Sequence, residues 1–117
     1  MIYAVDFDGT LCENKWPQIG EPNKGLIDFL MKAKTEGHEV ILYTMREGTL
    51  LDEALKWCES RGIMFDAVND NLPRLIEQFG VNSRKIYADL YIDDHNVADG
   101  FFYNNNLNTL PYHEWRY

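Results

Sequence analysis

A chain of 117 residues, 45% of them hydrophobic and 14% aromatic, has room for one compact core, and a two-domain reading is excluded. The 19 acidic side chains outnumber the 11 basic ones and leave a formal net charge of −8. At long range that charge repels polyanions and anionic membrane surfaces, so a nucleic-acid partner would need a local basic site and a membrane partner is not expected.

From the N-terminus, Ile2 to Phe7 read as a short buried strand of β-branched and aromatic residues that Gly9 ends. Asp6 within this stretch and Asp8 just after it break any signal-peptide core. The longest uncharged apolar run, Val40 to Met45, is too short to span a bilayer, so a soluble, cytoplasmic protein is expected. Cys12 and Cys58 are far apart and form no Cys-x-x-Cys pair, which fits two reduced thiols rather than a zinc knuckle or a disulfide framework. After an irregular stretch holding Trp16, Pro17 and Gly20, Asn23 caps a helix with Leu26, Ile27, Leu30 and Met31 on one face and Gly37 as its stop. Val40 to Tyr43 form a second strand. Thr49 and Asp52 make a capping-box-like start for a helix through Leu51, Ala54, Leu55 and Cys58 to Gly62. Met64 to Val68 read as a third strand, Pro73 to Phe79 as a shorter helix, and Ala88 to Ile92 as a fourth strand.

Alternating strands and helices, joined by crossover-length connections, give an α/β fold: a Rossmann-like sandwich of helices over both faces of a mainly parallel sheet. Such sheets bind ligands beyond the carboxyl ends of their strands. Asp6 and Asp8 follow the first strand, Thr44 and Arg46 the second, and Asp93 and Asp94 the fourth, so they converge on one rim. Two acidic pairs on one rim repel unless a cation sits between them, and ligands that are all oxygen suit Mg²⁺. Mg²⁺ takes only one or two carboxylates and completes its octahedron with water and phosphate, leaving the other acids for chemistry. One carboxylate can attack phosphorus to form an aspartyl-phosphate while a second moves protons. Gly9 allows close backbone approach, Thr44 donates a hydroxyl, and Lys85 or Arg46 balances charge on the phosphoryl group.

The order VDFDGT, ILYT, a lysine and YIDD resembles the haloacid dehalogenase-like hydrolase superfamily over nearly the whole chain. The resemblance implies Asp6 as nucleophile, Asp8 as acid/base, and Mg²⁺ held by Asp6, the Asp8 backbone carbonyl and Asp93, with Asp94 assisting. It maps the phosphate-binding residues to Thr44 and Lys85. An Asp two places after the nucleophile is similar to the phosphatases of that family, not to its dehalogenases or phosphonatases, so hydrolysis of a phosphate monoester is implied. Lys85 lies eight residues before Asp93, closer than the family pattern, which leaves Arg84 or Arg46 as alternative sources of the positive charge. About a dozen residues separate Gly9 from the first helix, and Arg46 leads almost directly into the next, so no cap domain fits. The Thr-x-Arg at Thr44 and Arg46 also resembles the phosphatase half of polynucleotide kinase-phosphatases, which keeps a polynucleotide-end phosphatase as an alternative.

Two non-enzymatic readings stand beside this. A phospho-accepting signalling receiver also uses an acidic Mg²⁺ pocket, but it places adjacent acids after its first strand, whereas here the adjacent pair comes last. A degenerate metal-binding module would not need Asp6 and Asp8 intact. His95 reads as a surface histidine stabilised by neighbouring carboxylates rather than a proton shuttle; His38 and His113 carry no signal. Trp57 reads as core, and Trp16 with Pro17 as packing in preference to bordering the site. With no cap to close a small site, either a large substrate covers it or a neighbouring subunit shapes the pocket, through the aromatic tail of Tyr112, Trp115 and Tyr117; the net charge of −8 favours the second route, a homo-oligomer acting on a small phosphorylated substrate.

Overall fold

Four consecutive buried residues, Ile2–Val5, make strand β1, an interior strand of a parallel sheet. The structure, a computed structural model, describes residues 1–83 and 85–94. β4 (Glu39–Leu42) pairs with β1 in the register Tyr3↔Val40 and Val5↔Leu42. β6 (Leu90–Ile92) lies on the other side of β1, with Val5 opposite Ile92. β5 (Ala67–Val68) adds to β4, so the strand order is β5-β4-β1-β6.

Both faces of this sheet are covered, which is why its strands are continuous apolar runs and not alternating ones. Tyr3, Val5, Val40 and Leu42 share one core with Leu26 and Leu30 of α1 (Lys24–Thr35) and Ala54 and Cys58 of α2 (Gly48–Ser60). Ile2, Ala4 and Ile41 point the other way and pack with Leu72 and Leu75 at the start of α3 (Pro73–Phe79). Carboxylates close the backbone at the strand entrances. Asp66 Oδ2 accepts from the Val40 amide at 2.8 Å and from Lys34 Nζ at 2.9 Å, and Asp89 Oδ2 accepts from the Ile2 amide at 2.7 Å.

Asn23 caps α1 as expected, its Oδ1 accepting from the Leu26 amide at 3.3 Å. The bounds of α3 match the sequence expectation, with Pro73 in its first turn and Gly80 ending it at φ +74°. The stretch expected to be irregular is instead an antiparallel hairpin, β2 (Cys12–Lys15) and β3 (Gln18–Pro22), turning at Trp16–Pro17. Its polar residues show no period-two pattern because beyond Cys12 the hairpin buries none of its side chains. The capping box at Thr49 and Asp52 does not form: α2 begins at Gly48 behind Glu47, which makes no side-chain cap bond. The first strand stops at Val5 because Phe7 begins a turn, its carbonyl accepting from the amides of Thr10 at 3.1 Å and Leu11 at 2.9 Å. Only Ala67 and Val68 of the third expected strand pair, having a neighbour on one side only. The last strand starts at Leu90; the Ala88 amide is occupied by the Tyr91 hydroxyl at 3.1 Å. Cys12 and Cys58 are buried, unpaired thiols, and among the described residues no helix is long and apolar enough to cross a membrane.

Candidate active site

Because β1, β4 and β6 run parallel, the residues after them emerge on the same rim. The Asp6 amide bonds the Ile92 carbonyl at 2.9 Å and the Tyr43 amide bonds the Val5 carbonyl at 3.0 Å, so the ladder fixes where each loop departs. Asp6, Asp8, Thr44, Arg46 and Asp94 line one cavity of about 410 Å³ with Asn14, Trp16 and Met45.

Asp6 is half-buried beside three other carboxylates. Burial, and then the carboxylates of Asp94, Asp93 and Asp8 in that order, push its carboxyl up to about 6, against a hydrogen bond from the Phe7 backbone that lowers it. Asp8 is held differently. Arg46 Nε donates to its Oδ2 and Nη2 to its Oδ1, both at 2.8 Å, a two-pronged match of planar guanidinium to planar carboxylate. Arg46 is only 2% exposed and lies over the Phe7 ring at 5.1 Å. Its Nη2 also donates to the Gln18 carbonyl at 3.2 Å and its Nη1 to the Leu50 carbonyl at 3.4 Å. This one buried cation therefore joins the DxD turn, the hairpin and the start of α2. Arg46, expected to meet phosphate, spends these donors within the protein.

Thr44 is positioned from both sides. Asn69, in the left-handed region at φ +52°, accepts from the Thr44 amide at 2.7 Å, and Thr44 Oγ1 accepts from the Arg46 amide at 3.1 Å. The acceptor use of Oγ1 leaves its hydrogen for donation into the cavity. Gly9 is required here twice over: its φ is +82°, and a Cβ would lie 2.5 Å from Asp94 Oδ2. Asp94 thus packs directly against the turn that carries Asp6 and Asp8. Asp93 does not line the cavity; its Oδ2 accepts from the Tyr43 hydroxyl at 2.7 Å. Burial and then this carboxylate raise the Tyr43 phenol far above its ordinary value, so it stays a donor.

Lys85 is not brought to the cavity. It is exposed in the loop before β6, where its carbonyl accepts from Asn71 Nδ2 at 3.2 Å. Arg84, His95, His113 and the aromatic tail with Tyr112, Trp115 and Tyr117 lie outside the described residues. Neither thiol lines the cavity; burial raises Cys12 and pushes Cys58 up to about 12. Among the described residues no three His, Cys, Asp or Glu gather as a metal cluster. Trp16, expected to pack in preference to bordering the site, instead lines the cavity and joins neither core, while Tyr43, Asn69 and Met45 were missed. Tyr43 follows β4 on the same rim where Asp93 follows β6, a usable signal; Asn69 carries none.

No protein-family model matches the chain, and no curated protein matches it. Among solved structures it is similar to a conserved protein from Bacteroides thetaiotaomicron. The two are 42% identical over 97% of this chain and 95% of that one, and superpose with a TM-score of 0.75. On that identity and coverage, the chain belongs to the family of this conserved Bacteroides protein.

Proposed function

We propose that the chain is a phosphatase of the haloacid dehalogenase-like type, a three-layer Rossmann-like sandwich without a cap domain, hydrolysing a phosphate monoester through an aspartyl-phosphate. The observation that carries this reading is the meeting of Asp6 and Asp8 with Thr44 and Asp94 in one cavity, with Asp8 gripped by a buried arginine. An Asp6 oxygen attacks phosphorus, and the bond to the leaving oxygen breaks with its electron pair going to that oxygen. Asp8, after it swings off the Arg46 fork and takes a proton from solvent, hands that proton to the leaving oxygen; back on the fork as a carboxylate, it takes one from the water that releases phosphate from Asp6. The fork of Arg46 holds Asp8 in the acceptor orientation that this second half uses. Thr44 donates its hydroxyl to a phosphoryl oxygen.

The donor set fits Mg²⁺ in kind, since every candidate ligand is oxygen. Mg²⁺ binds through only one or two carboxylates, so it does not need a cluster of three. Asp6 and Asp94 with the Asp8 backbone carbonyl would hold it, and Asp93, which accepts from the Tyr43 hydroxyl, would add its negative charge beside Asp6. Bound there, Mg²⁺ would offset the mutual repulsion of the acids and polarise the phosphoryl group.

The test is hydrolysis of p-nitrophenyl phosphate by the purified chain with Mg²⁺ and with chelator. Turnover is expected only with the metal. Asp6→Asn should abolish it, and Asp8→Asn should cut it on the order of 10² to 10⁴-fold. A folded protein inactive on a panel of monoesters with Mg²⁺ or Mn²⁺ overturns the reading.

A further inference from the structure

Large apolar side chains left in water beside a polar site mark what that site is shaped to hold. Trp16 is 61% exposed and Met45 is 100% exposed, yet both line the cavity that contains Asp6 and Asp8. They arrive on unrelated elements. Trp16 stands at the turn of the β2–β3 hairpin, with its amide on Asn14 Oδ1 at 3.2 Å, and Met45 stands between Thr44 and Arg46 in the loop after β4. Neither packs in the core, so their burial does not account for their presence.

The hairpin is also tied to the chemistry. Arg46 Nη2 bonds both Asp8 Oδ1 and the Gln18 carbonyl, and Gln18 pairs with Lys15 one residue before Trp16. One guanidinium thereby ties the hairpin that carries Trp16 to the acid/base carboxylate. An indole face offers stacking, and a thioether offers a polarisable contact suited to an aromatic ring.

We infer that Trp16 and Met45 bind the leaving group, and that it is a planar aromatic ring, so the substrate class is an aryl phosphate. The inference rests on the phosphatase reading for the phosphate end of the ligand. The ring end is a property of the cavity wall and is measured separately.

Binding of phenylphosphonate and methylphosphonate, neither of which has an ester oxygen to leave, is compared with Mg²⁺ present by calorimetry. Phenylphosphonate should bind about tenfold tighter, the equivalent of one well-placed ring contact. Trp16→Ala and Met45→Ala should each reduce that ratio, and the double variant should bring it near one. Both side chains are exposed, so folding is not at stake. Kinetically, Trp16→Ala should lower kcat/KM at least fivefold more for p-nitrophenyl phosphate than for acetyl phosphate, whose leaving group is acidic but not aromatic. Equal binding of the two phosphonates, or a ring preference that survives in the double variant, overturns the inference while leaving the phosphatase reading intact. A Trp16-dependent ring preference in a protein that hydrolyses no phosphate upholds the aromatic pocket and defeats the phosphatase reading instead.

Discussion

Burial and three neighbouring carboxylates set the cost of ionising Asp6, and that cost has a pH signature. Its carboxyl is raised from 3.8 to about 6 on folding, so below pH 4 both folded and unfolded chains carry the proton and there is no penalty. As pH rises from about 4 to about 6 the unfolded chain releases the proton first, and stability falls; above that window the penalty is constant. Asp6→Asn should therefore be more stable than the parent at pH 7 in chelator, by about 1 to 2 kcal/mol after allowance for solvent screening. Urea midpoints across pH 4 to 7 check this, and the variant's profile should be flatter. Arg46 poses the opposite case. Removing it in Arg46→Met leaves Asp8 without its partner and frees the hairpin, at about 2 to 4 kcal/mol. Arg46→Lys keeps the charge but cannot reproduce the fork, so it should recover less than half of that loss. A double-mutant cycle with Asp8→Asn should show strong coupling; simple additivity would mean that Arg46 does not position Asp8.

The turn after β1 is the element on which the site depends. It reverses at Gly9, with the Gly9 amide bonding the Cys12 carbonyl at 2.9 Å, and so passes the chain from the parallel sheet into the hairpin. Gly9→Ala meets two penalties, a left-handed backbone and the Asp94 carboxylate, and should cost on the order of 1 to 3 kcal/mol. On the proposed phosphatase reading, displacing Asp94 should also raise the Mg²⁺ concentration needed for half-maximal turnover. A chemical denaturation curve and a metal titration measure the two effects independently. The hairpin itself has little core to hold it. Its placement comes from Arg46 on the Gln18 carbonyl and from Cys12 and partly buried Ile19 against the first core.

Across the whole molecule, the sheet separates two cores. Leu30 lies fully buried on the side of α1 and α2, and Leu72 is 1% exposed on the side of α3. Each Leu→Ala change should cost about 2 to 5 kcal/mol through lost transfer energy and a residual cavity. Since the two sites share no packing cluster, the double variant should cost the sum within about 0.5 kcal/mol. Urea denaturation of the four proteins checks both statements, and a large shortfall in the double variant would show that the sheet couples its faces.

The strands Ile2–Val5 and Glu39–Leu42, α1 with its Asn23 cap, and α3 between Pro73 and Gly80 are legible in the sequence because each rests on local physics. Buried β-branched runs, a capping amide, a proline in the first turn and a left-handed glycine act within a few residues of themselves. The rim was legible too, since parallel pairing brings the ends of β1, β4 and β6 together. Tertiary structure alone decided the rest. The hairpin has no apolar period to announce it, and α2 starts at Gly48 behind an uncapped Glu47 and not at the expected box of Thr49 and Asp52. It sent Arg46 to Asp8 and left Trp16 facing the cavity. It gave Asp93 to Tyr43 and Asp94 to the turn at Gly9. Those outcomes depend on which of several charged groups lie within a few ångströms of each other, and side chains 38 and 50 residues apart meet only after the backbone has closed.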